Sequence, residues 1–247
     1  MDPSAGQPGS IFLTHTKLQD TGSSGFVAEP ELKVCGVCIP SERLIHLPNP
    51  QEIPTDPYIL FETIEKRRTI RSYSKEPLMR WELSLMLHYT QGVSGDGPDH
   101  FRTVPSAGAL HPFETYIVVN NVEGLVRGIY RYLPLDHALV QETCHVGDLE
   151  AISSACKRPE LVTGSAITFI WIAVSDRILW KFGARGWRYL FIEAGHICQN
   201  LYLVATALEC GACAIGSYHD DKINCALGID GIKQFCIYMA SVGKRKE

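Results

Sequence analysis

The sequence predicts an α+β fold. Strand-like apolar runs stand at 115–120, 166–175, 212–218 and 235–242, and helical patterns at about 79–92 and 187–208. The two kinds of segment mix without the strict strand–helix alternation of a parallel doubly wound sheet.

The elements follow in chain order. Residues 1–53 are rich in Gly, Pro and Ser and show little periodicity. They read as an extended arm with short contacts, and residues 54–247 as the body. Asp56-Pro57 is an N-cap followed by proline at the first helical position. Ile59, Leu60, Thr63 and Ile64 then share one helical face, which ends at Lys66-Arg67-Arg68. In the next helix Leu83, Leu85, Met86, Leu87 and Tyr89 supply the apolar side, and a glycine-rich loop at 92–97 follows. The segment VPSAGALHP, 104–112, cannot be regular helix or strand throughout. Residues 129–133 and 138–141 read as a hairpin around Pro134 and Asp136. The helix at 187–208 is apolar around most of its circumference, so it must be buried on nearly all sides. A partner subunit is a natural way to cover the side its own chain leaves open.

Composition narrows the function. Of 247 residues, 45% are hydrophobic and 20% charged, with a net charge of −4, so the chain is neither a disordered nor a nucleic-acid-binding type. A mildly acidic protein gains no long-range attraction to phosphate backbones or anionic lipids, and any anion site must be a local cluster of cations. The most apolar stretch, 166–174, is too short to span a bilayer, and MDPSAGQPGS lacks the pattern of a secretory signal. Nine cysteines, an odd number scattered through apolar segments, point to free thiols in a reducing cytoplasm. Cys35–Cys38 and Cys210–Cys213 have the ligand count of a zinc site but not its compact spacing, and no metal is expected.

Three segments could carry chemistry. Arg67, Arg68, Thr69 and Arg71 place three guanidiniums and a hydroxyl within five residues, enough for several charge-assisted bonds to one phosphate. They could equally satisfy the carbonyls at a helix C-terminus, although Arg71 lies beyond the expected end. Pro105-Ser106-Ala107-Gly108-Ala109-Leu110-His111-Pro112 sets small residues between prolines, either a stiff loop that lets backbone approach a flat ligand or a plain turn. Lys181, beside Trp180 and Phe182, is either a desolvated base or a solvated surface lysine. His196 reads as a core histidine. The sequence has no HExxH, GxSxG or Walker-type P-loop, and no GxGxxG after a strand.

Together the segments EKRRTIRSYSKEPL, ELSLMLHYTQGVSG, RTVPSAGALHPFETYIVV, GIYRY, KFGARGWRYLFIEAGHICQNLYLVA and CGACAIGSY, with FLTHTK near the start, resemble the nitroreductase superfamily and its SagB-type, azoline-dehydrogenase-like branch. The resemblance runs from about Phe12 to Gly243. It implies a mixed central sheet flanked by helices, a homodimer formed through long helices, and FMN at the interface. It further implies that Arg67, Arg68, Thr69 and Arg71 hold the phosphate and ribityl chain, with Arg245 reaching the phosphate. Pro105, Ser106, Ala107 and Gly108, with Leu110, would line the isoalloxazine, and Ile215, Gly216 and Ser217 would approach its edge near N5. Glu193 and Gln199 would face the partner's flavin.

Lys181 matches the lysine of a K-Y-G-x-R-G-Y motif tied to proton abstraction in azoline dehydrogenases. This chain has Phe182 and Trp187 where that motif has tyrosines, so a Lys–Tyr proton-transfer pair cannot form at those positions. The implied activity is an FMN-dependent oxidoreductase exchanging hydride at N5. Its substrate would be an azoline in a modified peptide or a small nitro or quinone compound. The alternative is a flavin-holding, non-catalytic partner of a peptide-modifying complex with a cyclodehydratase.

Overall fold

A strand that is apolar on both faces must be covered on both, and β5 (Ile167–Val174) is such a strand, with Thr168 its one polar residue. In the computed structural model it lies inside a seven-stranded sheet of order β1-β4-β3-β2-β5-β7-β6. The structure describes residues 11–12, 15–16, 40–49, 52, 59–95, 101–143 and 145–246. The other strands are β1 (Leu44–His46), β2 (Phe113–Val119), β3 (Gly128–Leu133), β4 (Ala138–Thr143), β6 (Cys210–Ile215) and β7 (Gln234–Lys244). The helices are α1 (Ile59–Lys66), α2 (Arg80–Gln91), α3 (Val146–Ala155), α4 (Pro159–Thr163), α5 (Asp176–Phe182), α6 (Gly186–Ala207) and α7 (Asp220–Ala226).

Alternation along the strands divides the core in two. Ile167, Phe169, Trp171 and Ala173 of β5 join a cluster with Leu83, Met86 and Leu87 of α2 and Leu190, Ala194, Ile197 and Leu201 of α6. Ile170 and Ile172 point the other way, to Leu149 and Ile152 of α3, Leu161 and Val162 of α4, and Ile223 of α7. The α+β expectation therefore holds, with helices on both faces. The same alternation separates Cys210 and Cys213, which belong to opposite clusters and cannot ligate one metal together. Cys35 and Cys38, the Asp56-Pro57 cap and the end of the glycine-rich loop lie outside the described residues.

The sheet differs from the mixed one expected. Every pairing between its strands is antiparallel. β5 and β6, joined through α5 and α6, do run parallel to each other. β7 inserts between them and pairs antiparallel with both. Among the described residues parallel pairing survives only as single bridges, Thr69 to Ala212 and Leu78 to Val122.

One further expectation needs correction: His196 is exposed rather than a core histidine. In α1, Leu60 and Ile64 are 51% and 52% exposed and Phe61 is 80% exposed, whereas Thr63 is buried. Lys181 lies between β5 and α6, in the last turn of α5, which is followed by a 3-10 turn, Gly183–Arg185. No helix among the described residues is long and apolar enough to cross a membrane.

Candidate functional site

The arginine-rich segment leaves α1 and lies flat across the end of the sheet. Ile70 N–H donates to the Ala212 carbonyl at 2.9 Å, and Tyr73 bridges to Arg245. Two glycines permit this approach. A Cβ at Gly211 would stand 2.6 Å from the Ile70 side chain, and one at Gly243 would stand 2.8 Å from Tyr73. The Tyr73 hydroxyl, 2.8 Å from Ser241 Oγ, fixes the segment from below. Burial drives its pKa well above the usual phenol range.

This packing gathers cations. Arg67 lies over the Tyr202 ring of α6, 5.5 Å from its centroid. Thr69 Oγ1 is 3.3 Å from the Tyr202 hydroxyl, which also accepts the Ala214 N–H at 2.8 Å. Arg245 donates through Nε to the Cys210 carbonyl at 3.1 Å. Arg71 stands by the Cys213 thiol, whose pKa burial raises while Arg71 and Arg158 pull it down. Among the described residues no carboxylate pairs with Arg67, Arg71 or Arg245. Arg68 is used differently: its guanidinium donates to the carbonyls of Glu65 and Arg67 at 2.9 and 2.8 Å, the helix-end role that was the alternative for the whole cluster.

The second group forms around the loop from Pro105 to Leu110. Its backbone is left-handed at Gly108 (φ 62°), Ala109 (φ 55°) and, just beyond, His111 (φ 45°). Non-glycine residues there are strained, so other contacts must hold them. Ser106 Oγ accepts the His111 N–H at 2.9 Å. Glu193 on α6 is 4% exposed and accepts the Ala107 N–H at 2.7 Å. Burial raises the Glu193 pKa above the usual carboxylate range, against the opposing bonds from Ala107 and Ser106. Burial, helped by Arg102, lowers His111 to about 4.

Beside this loop lies a cavity of about 290 Å³, lined by Pro105, Ser106, Ala107, Tyr189, Ile192, Glu193 and His196. Positions 189, 192, 193 and 196 form one stripe of α6. Lys181 is exposed rather than buried between Trp180 and Phe182, and it reaches the loop. A Cβ on Gly108 would be 3.0 Å from its Nζ and 3.3 Å from the Phe182 ring. Leu110 packs against the core.

The structure thus gathers the sequence-selected residues into two groups, both on α6. Tyr202 marks one and Glu193 the other, nine residues or about 13 Å apart along the helix axis. Ile215 closes β6 buried, and Gly216 and Ser217 follow it exposed. Gln199 is exposed and joins neither group through any described contact. Sequence reasoning missed Tyr202, Tyr189 and His196 as site residues. Tyr189 and His196 stand one turn before and one turn after Glu193, a helical spacing that could have found them, whereas Tyr202 lies half a turn out of phase with Glu193 and no local pattern marks it.

The nitroreductase family model matches residues 64–244, the span that holds both groups. A protein of Methanocaldococcus jannaschii that carries a nitroreductase name is 34% identical over 82% of this chain and 97% of its own. The microcin B17-processing protein McbC of Escherichia coli is 28% identical over 52% of this chain, which spans only 49% of that protein. Among solved structures, one from Anabaena variabilis with a nitroreductase name is 31% identical, with TM-score 0.65, covering 76% of this chain and 38% of its own. The E. coli microcin synthetase McbBCD complex with truncated pro-MccB17 bound shares the fold at 16% identity and TM-score 0.63, covering 98% of this chain and 84% of that one. So does a structure from Desulfovibrio desulfuricans in complex with FMN, at 15% identity and TM-score 0.56, covering 78% and 89%. With a model match across most of its length and an archaeal relative aligned nearly end to end, this chain belongs to the nitroreductase family of oxidoreductases.

Proposed function

We propose that the chain is an FMN-dependent oxidoreductase that works as a homodimer. The observation that carries this is the set of cations beside β6 that have no carboxylate partner among the described residues. Arg67, Arg71 and Arg245, with the Thr69 hydroxyl, meet the charge and hydrogen-bonding needs of a terminal phosphate. Bound FMN would supply hydride exchange at N5.

The chain's own residues bind and orient. Arg68 braces the end of α1, so the other cations are presented from a fixed backbone. The held loop offers Pro105, Ser106, Ala107 and Gly108, with Leu110 behind, as a wall for a flat ring. Ile215, Gly216 and Ser217 at the end of β6 would form the edge near N5, and Gln199 and Glu193 would lie toward the second flavin. Glu193 keeps the loop in place through Ala107.

The second copy has a surface to cover. Leu60, Phe61 and Ile64 of α1 and Phe191 and Ile192 of α6 are all more than half exposed, and α1 packs on α6. An obligate dimer burying ~2,000 Å² or more would remove this apolar surface from water.

Kinship to a microcin-processing protein favours a second reading for the substrate: azoline oxidation in a modified peptide, with a cyclodehydratase as partner. Lys181, which reaches the loop at Gly108, would then be the base or the substrate-orienting cation. The absent hydroxyl at Phe182 weighs toward small nitro or quinone acceptors. Turnover of the flavin-loaded dimer on an azoline-bearing peptide, a quinone and a nitroaromatic separates these readings. Activity on at least one supports an enzyme. A flavin-loaded dimer that reduces or oxidises none of them, and binds a cyclodehydratase, would instead be a non-catalytic partner.

A further inference from the structure

Of the four polar side chains around the α6 cavity, Glu193 and Ser106 are already engaged, and His196 is exposed with no contact fixing its ring among the described residues. Glu193 takes the Ala107 N–H, and Ser106 takes the His111 N–H. Pro105, Ala107 and Ile192 bring no side-chain donor. Tyr189 is different. Its ring is held edge-on against Phe182, with centroids 4.9 Å apart, and Arg185 lies over it at 5.8 Å. Among the described residues its hydroxyl has no hydrogen-bond partner, and it is not one of the buried atoms left without one, so it is open to an incoming molecule. A ring locked on two sides with an uncommitted O–H at a cavity wall is a pre-positioned donor. Next to it, across Phe182, the Lys181 ammonium sits at 5.8 Å from that ring and at the Gly108 backbone.

We propose that Tyr189 is a substrate-contacting catalytic residue that donates a hydrogen bond to the acceptor atom of the substrate. This rests on the FMN reading. It also names the substrate class: a flat molecule whose oxygen or ring nitrogen gains charge as hydride arrives. With a quinone, bound reduced FMN would supply a hydride with its electron pair to a ring carbon and be oxidised by two electrons, a π pair would move onto the quinone oxygen, and that oxygen would take its proton from solvent. Tyr189 O–H faces the oxygen that becomes negative, and its bond strengthens as the charge develops. Phe182 has no hydroxyl of its own to offer the substrate and holds the phenol of Tyr189 in place by ring packing.

The test uses the full-length, flavin-loaded protein. Tyr189→Phe keeps the ring and both ring contacts and removes only the hydroxyl. Flavin content should match the parent. Reoxidation of reduced flavin by menadione should slow by at least ~10-fold, as expected when one donor to a developing charge is lost. Ferricyanide, which takes single electrons without such a bond, should reoxidise it within ~2-fold of the parent rate. Benzoate, an unreactive oxygen acceptor, should bind at least ~3-fold more weakly by perturbation of the flavin spectrum. Adding Phe182→Tyr to Tyr189→Phe should recover part of the menadione rate.

An unchanged menadione rate at full flavin content overturns the proposal. So does an equal loss with both oxidants, which marks a structural role, or an equal loss in a His196→Asn variant with Tyr189 intact. A parent protein that takes up no flavin sinks the cofactor reading itself, which the flavin content reports separately.

Discussion

Glu193→Ala removes a carboxylate that is 4% exposed and leaves the Ala107 N–H, bonded at 2.7 Å, without its acceptor. An orphaned, partly buried donor costs about 1–3 kcal/mol. The loop it restrains holds Ala109 and His111 at φ 55° and 45°, a strained backbone that this bond and the Ser106–His111 bond keep in place. For a domain of this size the loss corresponds to a Tm decrease of roughly 2–12 °C. Glu193→Gln should behave differently because the amide oxygen still accepts the Ala107 N–H. The folded protein holds the Glu193 proton more tightly than the unfolded chain does, since burial raises the pKa from 4.5. Over the window from that value up to the raised one, the native state binds more protons, so this group's contribution to stability falls as pH rises. Glutamine has no charge to desolvate. The Gln variant should therefore be at least as stable as the parent at pH 7, with the difference closing as pH falls toward the ordinary carboxylate range. Urea unfolding of parent, Ala and Gln proteins at neutral and acid pH measures this. An Ala variant as stable as the parent, or a Gln variant that loses as much as Ala, would refute the reasoning.

Other outcomes follow from the same geometry. Replacing Arg67 and Arg71 together by alanine should weaken FMN binding by at least ~10²-fold, since each charge-assisted bond contributes about 1.5–3 kcal/mol, while circular dichroism of the fold stays unchanged. Phe61→Glu should yield a folded monomer by light scattering, because Phe61 is 80% exposed in the single chain. An intact dimer would mean that α1 lies outside the interface. His111 and His137 are held neutral by burial, each lowered to about 4 from 6.5. The unfolded chain therefore binds more protons between those values, and stability should fall as pH drops through that window. His137→Gln should flatten part of that decline in acid unfolding curves.

The elements legible in the sequence are those whose pattern is long or unbroken. β5 is an apolar run broken only by Thr168, and α6 carries its apolar residues through six turns. Where the pattern is short, tertiary packing decides. In α3, VGDLEAISSA, Leu149, Ile152 and Ala155 join the core cluster beneath the sheet, and glycine and serines dilute the period. The same holds for α4, five residues, and α7, seven. The antiparallel sheet could not be read either, because no local residue announces that β7 enters between β5 and β6.

In the site, the arginine cluster was visible because three guanidiniums stand within five residues, but their division of labour was not. Arg68 turns back to its own helix only because α1 ends just before it. Tyr202 and Tyr189 were hidden for another reason: a tyrosine in an apolar helix looks like core, and its hydroxyl gains meaning only from what packs beside it.

The central claim is that the cations beside β6 hold a flavin phosphate. Titrating the flavin-free protein by calorimetry with FMN and with riboflavin tests it most directly, since the two ligands differ only by that phosphate. The account predicts one FMN per chain and riboflavin binding at least ~10²-fold weaker, with the FMN advantage shrinking at high salt. Equal affinity for the two, or binding of neither, would contradict it.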